Sequence, residues 1–185
     1  MKKVPHPIRS RQGGASLIEV LVAVLILSFG LLSLGAMLSL SVQMPKLSGF
    51  RTTATNIASD HIERIRANPD GFKNGAYVLS SYTGTFDEVS LAECAYPACT
   101  SASLAAMDNA ASTYAARKLL PKGGLVVSCD PPGCGLTNVD GNLWVVWEEQ
   151  KDTSATVLAA NSDRCPAAVT GFSPPPRCLS VRFKL

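Results

Sequence analysis

Gly14-Ala15-Ser16-Leu17-Ile18-Glu19-Val20-Leu21 divides two kinds of sequence. Before it stand MKKVPHPIRSRQ and Gly13, a stretch with Lys2, Lys3, Arg9 and Arg11 and no acid. Pro5, Pro7 and the Gly13-Gly14 pair rule out a helix of any length there. After it, residues 15–44 form a run of thirty in which Glu19 is the single charge. At about 1.5 Å per residue, a helix over this run is roughly 45 Å long, against a bilayer hydrocarbon core of ~30 Å. The run predicts a membrane-crossing helix. The basic residues before it, set against only Lys46 and Arg51 just after it, place the N-terminus in the cytoplasm and the rest of the chain outside.

A secretory signal peptide does not fit, because its small-residue cleavage site follows the apolar stretch. Here the small residues precede it, so a cut after Gly14 leaves the whole apolar helix on the mature chain. An uncut membrane anchor leaves Glu19 without a purpose, since a carboxylate in a membrane helix costs several kcal/mol. Glu19 needs a cation. Cleavage after Gly14 creates one, the amino group of Ala15, four residues away or on a neighbouring subunit. A charge satisfied only by a correctly staggered neighbour sets the register of an assembly.

Outward from this segment, Leu47, Phe50, Ala54, Ile57, Ala58, Ile62 and Ile65 recur at helical spacing, which predicts an amphipathic helix with one buried stripe. Asn68-Pro69-Asp70-Gly71 stops it. The N-terminal helix is thus expected over residues 15–68, near ~80 Å long, with Pro45 bending it or interrupting a hydrogen bond. Residues 76–81 are a weak strand candidate. A second helix is expected over residues 101–120, capped by Ser101 or Ser103, with Leu104, Met107, Ala111, Tyr114, Ala115 and Leu119 on one face. Strands follow at 125–129, at 143–149 after an Asp140-Gly141 hairpin signal, and at 178–185, where Leu179, Val181, Phe183 and Leu185 alternate with Ser180, Arg182 and Lys184. The fold class is α+β.

Formal net charge is +3. Without the four leading basic residues, 13 of the 17 Lys and Arg remain against 14 acids, so the rest of the chain has no excess that draws nucleic acid. Six cysteines, Cys94, Cys99, Cys129, Cys134, Cys165 and Cys178, all lie in the C-terminal half. Their even number favours disulfides in an oxidising compartment. Zinc is the rival, although the spacings lack the C-x2-C pairs usual for structural sites and no histidine is near. Cys94–Cys99 and Cys129–Cys134 each enclose a proline-bearing turn that suits a local bridge, but six cysteines allow fifteen pairings. Trp144 and Trp147, three apart on a strand, face opposite sides. His61, among helical charges and without a nearby nucleophile, reads as a solvated or packing histidine. No residue set resembles a catalytic site, and no cofactor or metal is expected.

Gly14, Ala15 and Glu19 together resemble the signal of type IV prepilins: a short basic leader, glycine before the cut, and glutamate fifth in the mature chain. The resemblance implies that residues 1–14 are a leader removed by a prepilin peptidase. It implies that Ala15, which stands where most major pilins have phenylalanine, becomes N-methylalanine. Residues 15–44 would be the transmembrane and filament-core half of the helix. Residues 45–185 would be a periplasmic domain in which the helix packs on an antiparallel sheet. The run from Ser16 to Leu32, the helix exit 62–68, Leu120-Pro121-Lys122-Gly123-Gly124 and Val145-Val146-Trp147 resemble minor pilins of the PilV kind. A C-terminal disulfide loop is frequent in pilins, which by resemblance supports Cys165–Cys178.

That family implies a non-enzymatic subunit of the inner membrane and then the pilus. Its partners would be other minor pilins, the major pilin, the peptidase and the inner-membrane assembly machinery, with membrane lipid before assembly. Its role would be to prime the pilus, at the filament tip, and so to support twitching motility and adhesion. A minor pseudopilin of type II secretion is the nearest rival. A membrane-tethered periplasmic enzyme or sensor with an uncut N-terminus, and a pilin that takes up DNA, are the others.

Overall fold

The computed structural model describes Gly14 and residues 16–85, 88–91, 93–95, 97–135, 140–149 and 163–185. The chain divides into two compact units, Met1–Pro45 and Lys46–Leu185.

Helix α1 comprises Leu17–Ala67 and contains Pro45. In the first unit, Leu17–Ser39 is long and apolar enough to cross a membrane. Leucine, valine, isoleucine and phenylalanine side chains stand exposed all along it, and a helix apolar all round suits a membrane span.

In the second unit, α1 buries one stripe. Ala54, Ile57, Ala58, Ile62 and Ile65 are core residues, with Phe50 packed beside them. Spacings of three and four put these side chains on one face. Asn68 ends α1 and caps α2 (Pro69–Lys73), its side-chain oxygen accepting from Gly71 N. Proline at the first helical position costs nothing, because its missing N–H would have no partner there.

Helix α3 (Ser101–Leu119) begins at Thr100. The cap is Thr100, not Ser101 or Ser103: its hydroxyl accepts from Ser103 N at 3.1 Å, and Ser103 Oγ accepts from Thr100 N at 2.7 Å. Ser103 thus occupies the third helical position of a capping box. The buried face also differs from expectation. Ala105, Asp108, Asn109, Ser112 and Ala116 are buried, whereas Leu104, Met107, Ala111 and Ala115 are half-buried and Tyr114 and Leu119 exposed. Polar residues of this face meet polar groups, His61 and Arg64 of α1, Tyr77 and the Ala76 carbonyl, while Ala105 and Ala116 join the apolar core.

Strands β1 (Gly124–Cys129), β2 (Asp140–Trp147) and β3 (Arg177–Lys184) form an antiparallel sheet in that order. Residues 76–81 contribute only a bridge, Leu79 to Val127. Asp140-Gly141 is not a hairpin turn. Gly141 lies inside β2 opposite Cys129 and Phe183, and a Cβ there would approach the Phe183 ring at 2.5 Å and Phe72 at 2.9 Å. Close packing explains this glycine better than turn geometry.

The sheet buries both faces. Leu125, Val127, Leu143, Val145, Trp147 and Phe183 join the α1 stripe in one cluster. Val126, Val146 and Cys178 form another with Tyr82 and Val169. Trp147 belongs to the first and Trp144 packs on the second, as period-two alternation requires.

Candidate functional site

The site of processing and assembly expected from sequence lies at the start of α1. Gly14 is exposed, and a Cβ there would meet nothing within 4 Å. Ala15 and the leader before Gly14 lie outside the described residues. Glu19 occupies the first turn of α1, where Ser16 O accepts from Glu19 N at 2.9 Å and from Val20 N at 3.2 Å. A carboxylate there meets the positive end of the helix dipole. Glu19 is exposed, and among the described residues no cation pairs with it. The arrangement has an ion-pairing group and a wide apolar surface, which suits it to helix association.

The six cysteines form Cys94–Cys99, Cys129–Cys134 and Cys165–Cys178. No thiol is left free to bind zinc. The last bridge ties β3 to a charged cluster. Arg177, almost fully buried, lies 3.0 Å from Asp163 and 3.4 Å from Glu149, and Asp163 also reaches Arg51 of α1 at 3.4 Å. Asp163 further accepts from Cys178 N. The two carboxylates counter part of the desolvation cost of this buried guanidinium.

A second polar constellation was not legible in sequence. His61 is completely buried, so of its two expected readings the packing histidine holds and the solvated one does not. Its Nδ1 lies 2.9 Å from Ser112 Oγ, and its Nε2 has no hydrogen-bond partner among the described residues. Tyr77 donates to Asp108 at 2.6 Å and accepts from Asn68 at 3.2 Å. Asn68 also donates to Ser101 O at 2.7 Å, and Arg64 donates to Asp108 at 3.2 Å. Burial lowers His61 to about 4, against a smaller upward pull from Asp108. Burial, with the bond to Asp108, raises Tyr77 above the ordinary phenol range. The bond to Asp60 raises Arg64. The one sequence signal was His61's place in the phase of the stripe, one residue before Ile62 and four before Ile65.

The family model for the type IV pilin Tt1218 matches residues 36–110, and that for the prokaryotic N-terminal methylation motif matches residues 9–35. The methylation motif thus includes Gly14, Ala15 and Glu19. No curated protein and no solved structure matches the chain. A long apolar N-terminal helix, a three-stranded antiparallel sheet, three disulfides and these two matches define a filament subunit of the pilin or pseudopilin class. The chain is a type IV pilin-like protein. The family is structural, and with the motif it implies processing by a prepilin peptidase and assembly in a pilus.

Proposed function

We propose that this chain is a minor pilin that joins other minor pilins to prime type IV pilus assembly, at the filament tip, and so supports twitching motility and adhesion. The observation that carries the reading is Glu19 in the first turn of an exposed apolar helix, inside the methylation motif. Residues 1–14 are removed by cleavage after Gly14, and Ala15 becomes the methylated N-terminus. Before assembly, residues 15–44 span the inner membrane once, with the leader in the cytoplasm and residues 45–185 in the periplasm. The helix then leaves lipid for a bundle of pilin helices, where Glu19 meets an N-terminal amine. The PilV-like segments favour a priming role beside the major pilin.

The test is to delete the gene and measure major pilin in the sheared surface fraction. A sharp fall, restored by the normal gene and not by Gly14→Val, supports a processed priming subunit. An unchanged amount ends the priming role. The same N-terminal chemistry serves pseudopilins, so a loss of protein export in the deletion strain with normal surface pili would assign the chain to type II secretion.

A further inference from the structure

We propose that the polar joint between α1 and α3 is an acid-operated latch, in which protonation of His61 releases α3 while the β-sheet stays folded.

The geometry of the imidazole is the starting point. Its Nδ1 is matched to Ser112 Oγ at 2.9 Å, while among the described residues Nε2 faces no acceptor. The neutral ring tolerates this, since only one ring nitrogen carries a proton. In the charged ring both nitrogens donate, and the Nε2 proton finds nothing within a fully buried site. The groups facing the ring decide whether the charge is rescued. From α1 these are Asp60 and Arg64, and from α3 Asp108 and Ser112. Tyr77 presents its ring edge-on at 5.9 Å. Arg64 repels an imidazolium. Asp108 attracts it, but this carboxylate already holds the Tyr77 hydroxyl and the Arg64 guanidinium. Desolvation outweighs Asp108, and the ring is held at about 4.

The weakness of the α3 docking makes the response local. The apolar residues it buries fully are Ala105 and Ala116, both part of the common core, with Leu104 and Met107 only half-buried, and the rest of its buried face is Asp108, Asn109 and Ser112. Two alanines and two half-covered side chains remove less apolar surface from water than the large side chains of the sheet do. The sheet instead rests on Leu143, Val145, Trp147 and Phe183. Segments with few buried apolar contacts open first.

The sign follows from linkage. A histidine lowered on folding contributes fully above its ordinary value, near 6.5, and that contribution is lost as pH falls toward about 4. The docked state of α3 is then disfavoured on the order of thirtyfold near pH 5 relative to pH 7.

The experiment is hydrogen exchange of the full chain in detergent micelles between about pH 7 and pH 4.5, corrected for intrinsic rates. Amides of α3 are expected to exchange roughly thirtyfold faster near pH 5 while β1–β3 keep their protection, and His61→Gln is expected to abolish the acid response. Unchanged α3 protection, joint loosening of helix and sheet, or an undiminished response in H61Q would each overturn the latch. Should H61Q not fold, titration of the His61 ring proton by NMR decides. A low midpoint coincident with α3 opening supports the proposal. Titration at an ordinary value, or without change at α3, defeats it.

Discussion

Gly123 follows the turn after α3, and its α-carbon faces the last turn of that helix. A Cβ there would run into the carbonyl of Ala116 and press on Leu120 at 3.0 Å. The Ala116 obstruction is backbone, so no rotamer change relieves it. Gly123→Ala is expected to cost about 2–3 kcal/mol, as overpacked sites do. Gly135→Ala, where a Cβ meets nothing within 4 Å, is expected to change stability by less than about 0.5 kcal/mol. Urea unfolding of the two variants checks the difference. In sequence, Gly123-Gly124 reads correctly as the end of a helix, but not as a contact. Composition reveals that the chain turns, whereas the distance between Gly123 and Ala116 exists only after the turn is made.

Among the elements, β3 shows how local and long-range forces combine. Its alternation of apolar and polar residues is visible in the chain, because strand geometry fixes which side chains share a face. Its anchoring is not visible, since Arg177 meets Glu149 and Asp163 only when three separate segments converge. The Cys165–Cys178 bridge closes a loop between Asp163 and β3. Replacing both cysteines by serine is expected to lower stability by about 3 kcal/mol, from loop entropy regained by the unfolded chain. Denaturant titration measures the loss. A fall of less than about 1 kcal/mol would mean that the Arg177 ion pairs hold this loop without the bridge. Helix α3 makes the opposite case. Its extent agrees with sequence periodicity, but its face does not, because that face meets the hydrogen-bonding array of Arg64, His61 and Tyr77 as well as the apolar core that Ala105 and Ala116 join.

On the scale of the whole molecule, the two units treat their apolar residues in opposite ways. The Met1–Pro45 unit carries exposed apolar side chains along Leu17–Ser39. The Lys46–Leu185 unit buries its apolar residues in its own core. Assembly, on the function proposed above, depends on the first. Glu19→Gln is expected to leave the protein in the membrane fraction, since it removes a charge from an apolar helix. It is expected to cut incorporation into sheared pili at least tenfold, because breaking a buried ion pair costs about 3–5 kcal/mol. Immunoblots of membrane and sheared fractions give both numbers. Wild-type levels in pili would remove Glu19 from the assembly step.

The pilin-like class, the α+β order of elements, the apolar helix and the phase of the core-facing stripe of α1 were all legible in the chain. These follow from short-range rules of spacing, charge and turn chemistry, which act along the chain. Folding in three dimensions was needed to show which face α3 buries, that Gly141 is a packing glycine, that the cysteines pair with their nearest neighbours, and that His61 lies in a dry joint. The face of α3, the role of Gly141 and the burial of His61 depend on groups far apart in the chain, whose desolvation and contact begin only when the elements pack, and the cysteines needed the structure because six of them allow fifteen pairings.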